Sequence, residues 1–319
     1  MTRRRAAVSA SGAGVLAGFG AYGLWGLFPL YFHALEPTGA WEILANRIGW
    51  TALLCAVVLA VRRDWSWLGR LVTQRRLLIG VAVAAALIAV NWVVYVAAVT
   101  SGHTSDAALG YFLNPLVTVA LGVVVLRERL RPLQWLAVLI GVVAGLYLSV
   151  AAGTFPLTAL TLACSFGLYG LVKNKVGAHL PALHSLSLET FLLLPAAAVI
   201  LVLVATVGPG LDFGRHGPVH TALLVGSGVA TAIPLLLFAT AARRIPLVTV
   251  GLIQFITPII QLICAVTVLG EHLPVQRWVG FGIVWAALAV LSADALLSAR
   301  RRGVAGRTRR APHPPPPTR

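Results

Sequence analysis

Several polar side chains stand inside stretches that are otherwise apolar, and their types define the chemistry on offer. In WEILANRIGW (41–50), Glu42 and Asn46 are four residues apart and share a helical face. Arg47 is five residues from Glu42, about 140° round a helix, a poor geometry for an intrahelical ion pair. NWVVYVAAVT (91–100) puts Asn91 and Tyr95 on one face with Trp92 beside them. Asn114 precedes Pro115, Gln254 precedes Pro258 by four residues, and Glu189 lies in SLETFLLLP. A guanidinium, amides and aromatic rings suit a pocket that orients a small, partly apolar solute with few polar contacts. The candidate solute pathway is Glu42, Arg47, Asn91, Trp92, Tyr95, Asn114 and Gln254. Glu42 and Glu189 are candidates for gates or proton-linked groups. Blander readings stand beside these: a structural buried ion pair for Arg47, a helix-bridging amide and an aromatic belt for Asn91 and Trp92, and solvated interfacial acids for the glutamates.

Other chemistries lack their residues. No Walker A sequence is present, no His/Cys/Asp cluster has metal-ligand spacing, and no G-x-S-x-G elbow occurs. No cofactor or metal is expected. Cys55, Cys164 and Cys264 fall in different apolar runs and read as small core hydrophobes.

These residues must be held by membrane-spanning elements. The chain is 59% hydrophobic and 11% charged, against about 25% charged in soluble proteins. A spanning helix takes roughly 20 apolar residues, and the alternating ten-residue segments of a β-barrel, roughly, are absent. The expectation is an all-α polytopic membrane protein with spans at 11–32, 40–61, 77–100, 107–126, 133–151, 156–173, 184–207, 219–242, 247–269 and 275–297. MTRRR and the following apolar run could open a signal peptide, but the run is too long and reads as the first span. Pro115 and Pro258 each remove a backbone donor near mid-membrane and are expected to break their helices. Gly23, Gly26, Gly167 and Gly170 read as close-packing positions. Lys173 is expected to snorkel and Asp106 to cap a helix. Glu128 and Glu271 end their spans and read as interfacial.

Charge sets the orientation. Of the 25 basic residues, all but Arg47, Arg215 and Arg277 fall before the first span, in alternate loops or in the tail. The positive-inside rule then puts both termini in the cytoplasm, in the inner membrane of a bacterium. The placement argues for a membrane, with lipids as partners, and against nucleic acid. The expected divisions are a basic N-terminus (1–10), two five-helix units (11–151 and 156–297) and a basic Pro-rich tail (298–319).

The two units read as a repeat. Pro115, Glu128 and Trp135 correspond to Pro258, Glu271 and Trp278 at an offset of 143, and YGLWGL (22–27) corresponds to FGLYGL (166–171) at 144. Five spans per copy is odd, so the second copy is inverted, a design of secondary transporters with the solute site between the halves.

The stretches AYGLWGLFPLYF, EILANRIGW, NW at Asn91–Trp92, ALGYFLNPLV, SFGLYGLV, LET and PLLLFATAARR together resemble the RarD-type permeases of the EamA family, in the drug/metabolite transporter superfamily. The resemblance covers most of residues 16–297. It implies ten helices in two inverted five-helix bundles and small-molecule transport, often export. Asn46 stands where this type carries His, Ala97 where it often has Trp, and Asp106 where Glu is frequent, which lowers the expectation of proton coupling through position 46.

The resulting expectation is a secondary-active permease of a small metabolite or amphipathic drug-like solute, not an enzyme. It would work by alternating access, alone or with a coupling proton or ion, as a monomer or homodimer. The rival readings are an integral membrane enzyme acting on lipid-linked substrates and a non-transporting membrane sensor or scaffold. The first would need acids or histidines clustered at one face. The second would not need polar residues at midplane depth.

Overall fold

The structure is a computed structural model. It describes residues 2–100, 104–152, 157–177, 179–268 and 270, and in the last apolar run residues 275–276, 278–280, 282–283, 285–287, 289–290 and 293–294. The described secondary structure is helical. The elements are α1 (Thr2–Gly26), α2 (Phe28–His33), α3 (Ala40–Val61), α4 (Ser66–Thr73), α5 (Arg75–Thr100), α6 (Thr104–Val124), α7 (Pro132–Ala152), α8 (Leu157–Gly177), α9 (Ala182–Thr206), α10 (Gly217–Arg244), α11 (Leu247–Gln254) and α12 (Ile256–Thr267). Among them are segments long and apolar enough to cross a bilayer: Gly12–His33, Ala40–Val61, Arg75–Tyr95, Ala182–Thr206 and Gly217–Arg244. Many leucines and valines on their outer faces are exposed, Leu53, Val199 and Val202 among them. Hydrocarbon is the solvent that makes such a surface stable.

Proline places several boundaries. Pro29 starts α2 and Pro218 starts α10 at N1 or N2, where the missing N–H has no helical partner to lose and φ is already set. The first expected span is therefore two helices, parted at Leu27. The ninth is also two, with Phe255 between α11 and α12, one turn before Pro258, whose i−4 carbonyl belongs to Gln254. Helix α6, in contrast, runs on through Pro115, so the break expected there is absent. Close packing supports that stretch: a Cβ on Gly251 would come within 3.1 Å of the Pro115 carbonyl oxygen. The short helix α4 was not foreseen. The region of the tenth expected span is described in part, and Glu271 and the tail lie outside the described residues.

Three further expectations are corrected. Cys164 is exposed, while Cys55 and Cys264 are buried. Lys173 does not snorkel: it is 2% exposed and pairs with Glu189 at 2.5 Å. Glu42 is not at a wet edge but 1% exposed.

The loops sort to two ends. At one, Asp64 meets His184, Glu128 meets the start of α11, and Arg243 packs on Gly177. At the other, Glu42 meets the 207–216 loop and Thr38 meets His220. Gly14, at the start of the apolar part of α1, packs on Arg244, and Gly177, at the end of α8, packs on Arg243. Helices α1 and α8 therefore run in opposite directions. The packing also follows an exchange of α1 with α8, α3 with α9, α5 with α10 and α6 with α11–α12. Contacts α1–α10 and α5–α8 exchange, as do α3–α10 and α5–α9, and α6–α8 and α1–α12, while α3–α9 and α6–α11 map onto themselves. The largest departure from this exchange is at α8, which packs on α10, whereas α1 and α5 are not packed together in this way among the described residues.

Candidate functional site: an aromatic cavity around Arg47

The space between α1 and α5 is a cavity of about 590 Å³, within the range of small-molecule sites. Helix α1 supplies Tyr22 and Trp25, and α2 supplies Phe28 and Phe32. Arg47 comes from α3, and Asn91, Trp92 and Tyr95 come from α5. Tyr111 and Asn114 lie on α6, with Gln254 and Thr257 on the broken α11–α12. The i, i+3 and i, i+4 spacings inferred for α5 bring its three residues to one wall.

Arg47 is the principal charge. Its Nε donates to Thr231 Oγ1 at 3.0 Å. Its guanidinium lies over Trp92, Phe28 and Phe32, with centroids at 5.2, 5.4 and 5.5 Å. Among the described residues no carboxylate pairs with it, so the buried ion-pair reading of Arg47 does not describe this arrangement. Glu42 is occupied: its two oxygens accept the backbone N–H groups of Asp212 and Phe213 at 2.8 and 2.9 Å. Gly210 and Gly214, at φ +94° and +81°, allow the tight path that aims those N–H groups at one carboxylate. Glu36, at the cavity's mouth, is exposed and meets His33 Nδ1 at 3.2 Å. A guanidinium at membrane depth costs about 2.5–3.5 kcal/mol on insertion scales. A cation–π contact returns about 0.5–1 kcal/mol, rising to about 2 when desolvated. Three rings are thus of the right size to hold Arg47 without an acid, leaving its in-plane η N–H groups free.

The amides divide their work. Asn91 Nδ2 donates to Leu162 O at 2.9 Å and Ser165 Oγ at 3.0 Å, bridging to α8, while its ring neighbours face the cavity. Gln254 Oε1 faces the Thr118 hydroxyl at 3.5 Å. Asn114 Oδ1 and the Tyr22 hydroxyl are buried without hydrogen-bond partners among the described residues. Asn46 lies away from the cavity, its amide bonded to Glu42 O and to Trp50 Nε1, each at 3.0 Å.

The cavity is stopped on one side by rings. Phe238 of α10 stacks on Tyr169 at 5.7 Å and lies 5.4 Å from Phe166 and 5.7 Å from Trp25. Tyr22, Trp25, Phe166 and Tyr169 come from the two copies of the repeated hexapeptide, so the repeat supplies this plug from both halves. Behind it, Tyr169 donates to Glu189 Oε2 at 3.1 Å, and Lys173 donates to Ser185 Oγ at 2.9 Å and to Glu189 Oε1. Glu189 is therefore buried and ion-paired, outside the cavity. Pro115 and Pro258 do not line the cavity, though both neighbour residues that do.

Comparison with known proteins fits this arrangement. The EamA-like transporter family matches residues 12–151 and again residues 155–293. The chain belongs to that family. Protein RarD of Streptomyces exfoliatus is 46% identical over 289 residues, 90% of each chain. An uncharacterized transporter of Pseudomonas aeruginosa is 42% identical over 288 residues, covering 90% of this chain and 96% of the relative. Protein RarD of Escherichia coli K12 is 38% identical over the same shares. A solved crystal structure, 18% identical and covering 91% of this chain and 98% of its own, superposes with a TM-score of 0.66, a likeness of fold. This EamA protein is of the RarD type, a multi-pass membrane transporter.

Reading the sequence missed several residues of the EamA cavity. Tyr111, three residues before Asn114, and Phe166, in the repeated hexapeptide, carried a usable signal. Thr231, 184 residues from Arg47, carried none.

Proposed function

We propose that the protein is a secondary-active permease that moves a small metabolite or amphipathic solute by alternating access. In this reading it has ten spans in two inverted five-span units, residues 11–151 and 156–297, with both basic termini in the cytoplasm and a bacterial inner-membrane location. The carrying observation is the largest mismatch in the exchange-related packing: α8 and α10 closed over the aromatic plug, α1 and α5 parted by the cavity. A carrier whose halves swap conformations should hold one pair closed while its counterpart is open. The antiparallel course of α1 and α8 supports the inversion.

The pathway residues are Arg47, Asn91, Trp92, Tyr95, Asn114 and Gln254. Glu42 serves at the outer end as a staple to the α9–α10 loop. Glu189, with Lys173, is the inner gate, since opening α8 from α10 must disturb the Tyr169 contact that joins the plug to that pair. Export is the direction we favour from the resemblance, with a coupling proton or ion as the driving partner.

Flux into and out of proteoliposomes, over a broad metabolite and drug panel, compares wild type with Arg47→Ala and Asn91→Ala. The reading expects gradient-dependent flux of at least one solute, reduced about tenfold or more by Arg47→Ala, the scale of one lost charged contact. Absence of flux for every solute, or flux indifferent to both substitutions, contradicts it.

A further inference from the structure

The carrier reading leaves open the charge of the solute, and the cavity speaks to it. A guanidinium has five N–H donors in a rigid plane. Arg47 uses Nε on Thr231, and aromatic rings lie around its faces. The four η N–H groups form an in-plane edge with no protein acceptor among the described residues. That edge matches the two oxygens of a carboxylate. The acids that could have taken this place are engaged elsewhere: Glu42 on two backbone N–H groups, Glu36 at the mouth beside His33, and Glu189 with Lys173 beyond the plug.

Resting on the carrier reading above, we propose that the solute is an organic monoanion, a carboxylate on an aromatic or similarly apolar body. The carboxylate sits on the η edge of Arg47, and the body lies against rings such as Trp25, Trp92 and Tyr95. One fixed cation balances one negative charge. A dianion would leave a second charge unbalanced at low dielectric. A cation would meet Arg47, and among the described residues the acid lining the cavity is Glu36, at the mouth beside His33; a neutral amide would form at most part of the fork.

The probes are 2-naphthylacetate, 2-naphthylacetamide, 2-naphthylethylamine and 2-naphthylmalonate, which share a body and differ in charge. Equilibrium binding at pH 7 uses the full chain in detergent, with monodisperse elution required of every variant. The proposal expects saturable binding of 2-naphthylacetate, about tenfold or more tighter than the other three, the scale of a charge-assisted bidentate pair. Arg47→Gln should abolish that preference. Arg47→Lys, which keeps the charge and loses the fork, should retain the preference for the anion at lower affinity. Equal binding of the amide or the amine, tighter binding of the dianion, no binding of any probe, or anion binding unchanged in Arg47→Gln would overturn the proposal. Those outcomes leave the carrier reading standing wherever proteoliposomes show solute flux that Arg47→Ala or Asn91→Ala reduces; that reading falls when flux is absent or indifferent to both substitutions.

Discussion

Arg47 and Lys173 show two ways for this chain to keep a cation at depth. Arg47 is held by ring faces and one hydroxyl, with donors to spare. Lys173 is spent entirely inside the protein, on Glu189, Ser185 and the Tyr169 ring. The difference sets their expected behaviour. Removing one partner of a buried ion pair costs about 3–5 kcal/mol because it strands the other charge. Lys173→Met or Glu189→Gln alone should each lower unfolding stability in detergent by about that much, and the double variant by much less than their sum. Additive losses in thermal denaturation would contradict a coupled pair. That Arg47 was exceptional was legible in the sequence, because a guanidinium five residues from the nearest acid on one helix has no local partner. The Lys173–Glu189 pair was not: sixteen residues and a helical turn-around separate them, and only folding α9 back beside α8 brings them together.

At the scale of elements, close approach between helices is set by glycine where a side chain would strike backbone. A Cβ on Gly228 would lie 2.5 Å from the Trp50 carbonyl carbon, which cannot swing aside as a side-chain tip can. Thr51 Oγ1 donates to the Gly228 carbonyl at 3.1 Å across the same contact. Gly228→Ala should therefore push α3 from α10, displace Arg47 from Thr231, and destabilise by about 1–3 kcal/mol or more. Gly49→Ala, where nothing lies within 4 Å, should be neutral or slightly stabilising as a better helix former. Equal thermal midpoints for the two variants would refute the packing argument. The five described segments long and apolar enough to cross a bilayer were readable because their apolar runs have that length. The subdivision of the expected spans one and nine was harder to read, since Pro115 and Pro258 look alike in sequence and differ in what surrounds them. Helix α4 escaped notice because eight residues leave little periodicity; its Trp67, stacked on His184 at 4.6 Å, was the available sign.

For the whole molecule, the repeated hexapeptides YGLWGL and FGLYGL meet in one aromatic plug, and the helices that carry them close against different things. Helix α8 meets α10; α1 faces the cavity across from α5. The duplication was legible from the shared offset. The asymmetry between its copies was not, because on the proposed carrier reading one sequence specifies two conformations and a structure holds one. The most direct measurement is pulsed dipolar spectroscopy on two label pairs in proteoliposomes, after replacing the exposed Cys164. One pair, at Leu24 and Val93, reports α1 against α5; the other, at Lys175 and Arg244, reports α8 against α10. Alternating access predicts two populations linked in opposition: where the first pair shortens, the second lengthens, and a transported solute shifts their proportion. A single fixed distance for both pairs, with or without solute, would contradict the account.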